Sequence, residues 1–260
     1  MGIWYHSKSV AEGENEDLKS SRCRYCQTTL EEDDEAKEQA LNEEINYGWS
    51  DGFRTRSYAY VGICPACGWW KNGRQLVSGI DLIEGKEPPP IHIDHGILKQ
   101  FSLDDTSLAI EDVRSYLVAK YDQRFELHPR IFEEVVTSVF LDHGYDAEVT
   151  SYTGDDGIDV ILTLEGATAE PIGIQVKRYK DSIAVDQIRE LAGALHINGY
   201  TEGIFITTSK FQSGAKRTAE MSGARGIKIQ LIDGEGFLSK LKVAQIESYA
   251  KSDLKKPWLA

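Results

Sequence analysis

The sequence predicts an α/β protein in which a mixed β-sheet is flanked by helices, with a small cysteine-rich domain before it. Three observations carry this prediction. Three β-rich runs followed by alternating helices and strands occupy the chain after His128. All four cysteines lie within residues 23–83, and a proline-rich stretch separates the two regions.

Composition places the chain among ordinary globular proteins. Of its 260 residues, 41% are hydrophobic and 27% are charged. No apolar run reaches the roughly 20 residues that span a bilayer. The first residues lack the basic and apolar regions of a signal peptide, so we expect a cytoplasmic protein with no membrane segment.

The net charge of −13 is unevenly distributed along the chain. Residues 171–260 carry 14 basic and 9 acidic side chains, whereas residues 1–170 carry 15 basic and 33 acidic ones. An acidic N-terminal part would repel phosphate, while the C-terminal part could meet it. The charge therefore argues against tight non-specific DNA binding, although a solubilising surface would explain the same distribution.

Shifts in composition predict the domain organisation. Three successive prolines between Glu84 and Ile91 indicate an extended linker. Helical spacing of apolar residues predicts a bridging helix, with Asp104 or Asp105 as its N-cap. The predicted division is an acidic, poorly ordered tail at 1–22, a cysteine domain at 23–83, a linker at 84–102, the bridging helix at 103–122 and a second domain at 123–260.

From His128 onward the hydrophobic periodicity becomes regular. Pro129 suits a first helical turn, and an apolar stripe from Ile131 to Phe140 predicts a helix that ends at Gly144. Short β-rich runs predict strands at 147–152, 158–164, 172–176, 203–207 and 227–232. Further helices are predicted at 185–197, 213–222 and 236–246.

The cysteines form two Cys-x-x-Cys pairs, Cys23 with Cys26 and Cys64 with Cys67, separated by 37 residues. Thiolates are soft, anionic ligands, and two such pairs in a cytoplasmic chain are typical of a tetrahedral zinc site of the zinc-ribbon kind. Gly68 permits the tight turn after the second pair, and residues 58–63 predict a strand leading into it. Because four protein ligands close the coordination sphere, this zinc would be structural.

Other interpretations of this region stay open. A redox dithiol would be expected in a βαβ context, which the region does not show. The domain could simply fold around its metal, or it could present Trp69, Trp70 and Arg56 to a nucleic acid or a partner protein. His92 and His95 could bind metal, but beside four cysteines they are better explained as linker residues.

A second group of chemical side chains lies in the C-terminal half. Asp159 follows Gly-Asp-Asp-Gly-Ile near the start of a predicted strand, and Gln175 and Lys177 lie on the next strand. Side chains two residues apart on a strand share a face, and Asp159 reaches that face if the strands form a hairpin. Such oxygen ligands could hold magnesium beside a lysine able to orient or deprotonate water, with Glu133 as a further ligand. Taken singly, these residues would be an ordinary turn and a strand end.

The ordered motifs resemble the Mrr-like restriction endonucleases of the PD-(D/E)xK nuclease superfamily. The resemblance covers about residues 127–241. It rests on Phe-Glu at 132–133, Asp-Asp-Gly-Ile-Asp at 155–159, Gln-Val-Lys-Arg-Tyr at 175–179, Ile-Arg-Glu-Leu-Ala-Gly at 188–193 and Gly-Ile-Phe-Ile-Thr-Thr-Ser at 203–209.

The resemblance implies a restriction-endonuclease-like fold and magnesium-dependent cleavage of DNA. Asp159 and Lys177 would be catalytic, and Glu133 and Gln175 would support the metal. Asp156 occupies a position where the family commonly has glycine, so it could tighten metal binding or merely face solvent. Gln175 replaces the Asp or Glu of the wider superfamily, as it does in the Mrr-like subgroup.

Polar and basic side chains after the motif strand are candidates for holding the DNA backbone. A helix cap and a solvated surface would explain them equally well. The candidates are Gln187, Arg189, Thr208, Ser209, Lys210 and Lys216.

The sequence thus predicts a magnesium-dependent DNA endonuclease of the restriction or phage-defence type. Cutting two strands needs two sites, which favours a homodimer. One alternative is a nuclease effector that stays inactive until a defence-system partner protein or a phage component engages the zinc domain. Another is a nucleic-acid-binding module with a decayed nuclease site, against which the intact Asp159, Gln175 and Lys177 count.

Overall fold

The computed structural model describes residues 3–6, 10–11, 20–32, 56–77, 92–100, 102–150, 157–164 and 170–251. The chain divides into two compact units, residues 1–100 with 249–260, and residues 101–248. Within the described ranges, no helix combines the length and the apolar character that a membrane span requires.

The N-terminal unit contains an antiparallel β-sheet. Its long strands are β4 (Arg56–Ile63), β5 (Trp70–Val77) and β6 (His92–Leu98). Among the described residues, the strand order is β1-β6-β5-β4-β3, and β2 also pairs with β6. The short strands are β1 (Trp4–His6), β2 (Val10–Ala11) and β3 (Glu31–Glu32). Strand β4 confirms the strand expected before the second cysteine pair.

Two expectations for this unit need correction. Residues 92–98 were expected in a linker, but they form β6, between β5 and β1. Ile93 and His95 are buried at alternate positions of this strand, and a buried histidine does not register as part of an apolar strand pattern. Trp4–His6, expected in a poorly ordered tail, pair with β6. The proline run, residues 84–91, lies outside the described residues.

The C-terminal unit alternates helices with strands. Its helices are α1 (Ile110–Ala119), α2 (Pro129–Asp142), α3 (Val185–Ile197), α4 (Ser213–Gly223) and α5 (Gly234–Lys251), with a 3-10 helix at Tyr121–Phe125. Its strands are β7 (Tyr145–Val149), β8 (Val160–Leu164), β9 (Ile172–Lys177), β10 (Glu202–Thr207) and β11 (Lys228–Ile232).

These strands form a mixed sheet with the order β11-β10-β9-β8-β7 among the described residues. Strands β7, β8 and β9 are antiparallel, whereas β9, β10 and β11 are parallel. The parallel neighbours are joined through helices α3 and α4, as parallel pairing requires. The predicted mixed sheet flanked by helices is confirmed.

Both faces of the central strands are buried, which places the core on two sides of the sheet. On one side, Phe205 of β10 packs with Ile188, Leu191 and Leu195 of α3. On helix α2, the predicted apolar stripe from Ile131 to Phe140 is buried, and Phe132 meets Phe237 of α5 edge to face at 5.3 Å. Strand β10 buries every residue from Gly203 to Thr207, so both helix layers cover it.

Several element boundaries differ from expectation, among them those of α5, which was expected at 236–246 and spans Gly234–Lys251. Helix α1 begins at Ile110 after Ala109, not after Asp104 or Asp105. Asp105 instead accepts a hydrogen bond from the Ser107 N–H at 2.9 Å, which forms a local turn before the helix. The strand expected at 147–152 begins at Tyr145, because Gly144, at a φ of +83°, turns the chain directly out of α2.

Candidate active site

Asp159 lies immediately before β8, beside β9. Its backbone N–H donates to the Ile174 carbonyl at 2.8 Å, and its carboxylate Oδ2 accepts from the Val176 N–H at 2.6 Å. The residue is only 9% exposed. The hairpin expected between these strands is confirmed, and it brings the Asp159 carboxylate to the strand that carries Gln175 and Lys177.

Gln175 precedes Val176 on β9 and carries a buried side-chain oxygen. The residue is 5% exposed, and its Oε1 accepts no hydrogen bond from the described part of the chain. A buried amide oxygen without a partner costs about 1–3 kcal/mol in lost solvation. Gly157, which has a φ of +84°, lies close to the amide nitrogen of this side chain. A β-carbon at this position would be 3.7 Å from Gln175 Nε2. The site therefore offers a carboxylate and an amide oxygen, the hard ligands that magnesium prefers.

Lys177 is the last residue of β9 and pairs with Thr207 of the parallel strand β10. Its carbonyl accepts from Thr207 Oγ1 at 2.9 Å and from the Thr208 N–H at 3.2 Å. The side chain is half-buried and lies two residues from Gln175, on the same face of the strand. The backbone that carries this ammonium group is thus held in place by β10.

Glu133 belongs to the same part of the unit through hydrogen bonds from α2. Arg130 Nη1 donates to Glu133 Oε2 at 3.2 Å and to the Thr150 carbonyl at 3.1 Å. Thr150 in turn donates from Oγ1 to the carbonyls of Ile158 and Asp159, at 2.7 and 3.1 Å. A continuous set of hydrogen bonds therefore connects the Glu133 carboxylate with the backbone of Asp159.

Arg130 and Thr150 were not identified from the sequence. Arg130 lies three residues before Glu133, one helical turn away, so its spacing was a usable signal. The sequence around Thr150 contains no such signal, because the contacts of Thr150 depend on the pairing of β7 with β8. Asp156, whose role was left open, lies outside the described residues.

A sequence model of the Mrr catalytic family, described as a restriction endonuclease, matches residues 125–241. These residues form an Mrr-like restriction endonuclease domain. The resemblance expected from the ordered motifs is therefore confirmed.

Two curated proteins are similar to this chain. The type IV methyl-directed restriction enzyme EcoKMrr of Escherichia coli K12 is 27% identical over an alignment of 185 residues that covers 65% of this chain and 60% of that protein. The uncharacterized protein y4cE of Sinorhizobium fredii is 25% identical over an alignment of 132 residues that covers 46% of this chain and 33% of that protein. The chain thus spans less than two thirds of the length of either relative.

The candidates for DNA contact in the endonuclease domain fall into two groups. Arg189, Lys210 and Lys216 are exposed. The other three side chains are already engaged within the fold: Gln187 Oε1 accepts from the Ala184 N–H at 2.9 Å, and Thr208 and Ser209 are buried and donate to the carbonyls of Tyr179 and Asp181. For Gln187, Thr208 and Ser209 the structure supports the helix-cap and loop roles over phosphate contact.

Away from the endonuclease domain, the four cysteines form a second candidate site. Their sulfur atoms all lie within 4.8 Å of one another, and all four residues are buried. Cys23 and Cys67 are separated by 3.6 Å between sulfurs, and Cys26 and Cys64 by 3.5 Å. Among the described residues, this is the one cluster of three or more His, Cys, Asp or Glu side chains arranged to hold a metal ion.

The two cysteine pairs have matching backbones. In each, the residue after the second cysteine has a positive φ, 61° for Gln27 and 76° for Gly68. Its N–H donates to the carbonyl of the first cysteine, at 3.0 Å to Cys23 and 2.8 Å to Cys64. Each turn therefore points both sulfurs of its pair toward the same point. The turn that Gly68 was expected to permit is present.

The electrostatics of the cluster favour a bound cation. Burial raises the pKa of the Cys67 thiol, whereas hydrogen bonding to Cys23 lowers the pKa of Cys26. Four thiolates cannot share so small a buried volume without a positive charge among them.

Trp69 and Trp70, considered as residues presented to a nucleic acid, are 0% and 2% exposed and belong to the core of the N-terminal unit. The indole N–H of Trp69 donates to the Gly96 carbonyl at 2.9 Å. The interpretation that these two rings are presented to a nucleic acid or a partner is therefore wrong, because both are buried within the unit. The side chain of Arg56 lies outside the described part of the structure.

Proposed function

We propose that the endonuclease domain hydrolyses phosphodiester bonds of DNA with a magnesium ion held by Asp159 and Gln175, and by Glu133 directly or through water. The observation that supports this most is the buried Gln175 Oε1, which accepts no hydrogen bond from the described residues. Gln175 directly precedes Val176, whose N–H binds the Asp159 carboxylate. A buried amide oxygen without a protein partner is satisfied by a bound ion, a ligand or water.

When bound, magnesium would neutralise the charge that develops on the phosphate during hydrolysis. The protein residues have separate tasks. Asp159 and Gln175 provide oxygen ligands from two paired strands whose backbones are fixed, so the ligands need little reorganisation. Lys177 Nζ orients the attacking water or accepts its proton, on the same face as Gln175. Arg130 links Glu133 to the Thr150 carbonyl, next to the backbone of Asp159.

Cleavage of plasmid DNA by the full chain tests this proposal. The wild type with magnesium is compared with Asp159→Ala, Lys177→Ala and the exposed control Lys228→Ala on β11. We expect the control to cleave like the wild type and the two site variants to lose cleavage. Equal background nicking by all four proteins across several metals and DNA types would reject the catalytic assignment.

For the N-terminal unit we propose a structural zinc ion bound by Cys23, Cys26, Cys64 and Cys67. A tetrahedral site with Zn–S bonds of about 2.3 Å has sulfurs about 3.8 Å apart, close to the separations found here. Elemental analysis of the purified protein should find one zinc per chain. Absence of zinc, together with unchanged folding of Cys23→Ser and Cys64→Ser, would reject the site.

A role in restriction or phage defence is supported by the family and by the relative from Escherichia coli, whose name describes it as methyl-directed. We propose that this chain acts on foreign DNA in the cytoplasm. Plasmids that differ only in base methylation test the idea: a methylation-dependent cleavage rate supports it, and equal rates on all plasmids favour a nuclease without that selectivity.

A second candidate is a nuclease gated by a partner that engages the zinc unit. The 33 acidic side chains of residues 1–170, against 15 basic ones, favour it, because this charge would oppose the approach of DNA. Activity that appears only with a defence-system protein or phage lysate would establish gating. Full activity of the purified chain alone would exclude it.

Sedimentation of the chain with and without DNA tests the proposed homodimer.

A further inference from the structure

Beyond Lys177 the chain continues past the end of β9 through residues 178–182, with bends at Lys180 and Asp181. Three successive hydroxyl side chains at the end of β10 hold this segment in place. Their Oγ atoms donate to alternate carbonyls of it. The hydrogen bonds run from Thr207 to Lys177 at 2.9 Å, from Thr208 to Tyr179 at 2.8 Å and from Ser209 to Asp181 at 2.7 Å.

These hydrogen bonds make the segment rigid. Thr207 and Thr208 are fully buried and Ser209 is 7% exposed, so their hydroxyl groups have no water to replace a lost partner. Before the bends, the carbonyls of Lys177 and Tyr179 are both directed toward the end of β10, as at alternate positions of a β-strand. Side chains at alternate positions therefore share a face, which carries Gln175, Lys177 and then Tyr179.

Tyr179 is exposed although its backbone is fixed. The residue is 44% exposed and lies about 6.6 Å along the segment from Lys177, the span of two extended residues. Its surroundings are basic. Lys180 forms an exposed ion pair with Glu126 at 3.3 Å. Lys177, Arg178 and the exposed Lys210 add three positive charges, against Asp181 as the acidic residue of the segment.

We propose that Tyr179 stacks on an unpaired base of the DNA strand, next to the phosphate being cleaved. The inference rests on the proposed function of the endonuclease site. An exposed aromatic ring on a rigid backbone loses little entropy on binding, and neighbouring cations attract the phosphates on either side of the stacked base. A paired base is not available for such stacking, so cleavage favours strands that are mismatched or single-stranded near the cut.

Binding is measured on the full chain with calcium in place of magnesium, so that the strand stays intact. The probe is a single-stranded oligonucleotide with 2-aminopurine at successive positions, whose fluorescence reports base stacking. We expect Tyr179→Ala to weaken binding about 5- to 100-fold and to remove the fluorescence change. Tyr179→Phe should retain both, because the ring is what stacks.

Two further variants sharpen the test. Tyr5→Ala removes a tyrosine that is 51% exposed in the N-terminal unit and should bind like the wild type. Thr208→Val keeps the volume of the side chain but removes the hydrogen bond to Tyr179, so it should show a smaller loss of the same kind. With magnesium, Tyr179→Ala should raise KM more than it lowers kcat, and it should lose the preference for mismatched DNA.

Equal binding and cleavage by wild type and Tyr179→Ala would overturn the inference while leaving the nuclease proposal intact. The inference would also be overturned if Tyr179→Phe weakened binding as much as Tyr179→Ala, since the hydroxyl group and not the ring would then make the contact. If instead the wild type shows no metal-dependent cleavage but the fluorescence change depends on Tyr179, the nuclease proposal fails and the stacking site stands.

Discussion

The two candidate metal sites both place ligand atoms where water is largely excluded, but they differ in how many ligands the protein supplies. The cysteine cluster supplies four buried sulfurs, which would complete the tetrahedral coordination sphere of the proposed zinc. The proposed ligands of the endonuclease site, Asp159, Gln175 and the more exposed Glu133, would leave positions for water and substrate. A closed site can only hold a fold together, whereas an open one can act on a bound phosphate.

The largest expected effect is loss of the zinc ion. Folding around a structural zinc uses a binding free energy of about 10–16 kcal/mol, which exceeds the stability of a small unit. We therefore expect Cys64→Ser, or a zinc chelator, to abolish the unfolding transition of the N-terminal unit, followed by the fluorescence of the buried Trp69 and Trp70. An unchanged transition in both experiments would remove the contrast between the two sites.

Lys177→Ala should have the next largest effect. Loss of a group that orients or deprotonates the attacking water lowers kcat about 10²- to 10⁴-fold. Stability should change little, because the Lys177 backbone contacts to β10 do not involve its side chain. Single-turnover cleavage at saturating magnesium measures the loss, with Lys228→Ala as the control. A tenfold rise in KM at constant kcat would instead assign Lys177 to DNA binding.

Local signals were sufficient for most elements of the fold. Helix α3 was predicted with its observed limits, because Gln187 supports its first turn and Gly199, at a φ of +75°, follows its end. Strand β6 was missed, because one of its buried positions is held by His95 and not by an apolar residue. The boundaries proposed for the whole domains stay a prediction.

The polar residues of the site were harder to assign. Thr208 and Ser209 follow a strand near the catalytic motif, and their sequence is equally compatible with phosphate contact and with structural hydrogen bonds. The structure buries both because residues 178–182 run alongside them. That neighbour is brought there by parallel pairing of β9 with β10, a long-range contact with no local signal. Asp159 and Gln175 could be placed together because they lie on consecutive antiparallel strands.

Gln175→Leu sharpens the comparison through opposite effects on stability and activity. Removing a buried amide oxygen that lacks a protein partner should not lower the free energy of unfolding of the metal-free domain. It could raise this free energy by up to about 1–3 kcal/mol. The rise in Tm that magnesium gives the wild type should disappear, together with cleavage. Gln175→Glu, which restores an oxygen ligand and adds charge, should retain the magnesium-dependent rise. A lower Tm of metal-free Gln175→Leu would show that the oxygen is satisfied within the protein.

Arg130→Ala should have a smaller effect, on the affinity of the open site for metal. Arg130 holds Glu133 and the Thr150 carbonyl together, and loss of a residue that orients metal ligands typically costs about 10- to 100-fold in affinity or activity. The magnesium concentration for half-maximal cleavage should therefore rise, and Arg130→Lys should recover part of the loss. Arg217→Ala, an exposed arginine on α4, is the control. An unchanged magnesium dependence would limit Arg130 to a structural role.

The smallest expected effect concerns a buried cation of the N-terminal unit. Lys71 is 5% exposed and its Nζ donates to the Ser20 carbonyl at 2.5 Å. Burial lowers the pKa of Lys71 to about 8 from 10.5, and the nearby Glu32 carboxylate acts in the opposite direction. Between these two values the unfolded chain binds a proton that the folded unit does not, so folding stability should rise with pH across this window.

Lys71→Met isolates this contribution. Cysteine ionisation and zinc binding change over the same pH range, but they do so in both proteins and cancel in the difference. The free energy of unfolding of the wild type relative to Lys71→Met should therefore increase as pH rises from about 8 to 10.5, with the buried Trp69 and Trp70 as fluorescent reporters. Parallel curves would mean that Lys71 keeps its proton when the unit is folded, and that the hydrogen bond to Ser20 and the Glu32 carboxylate compensate its burial.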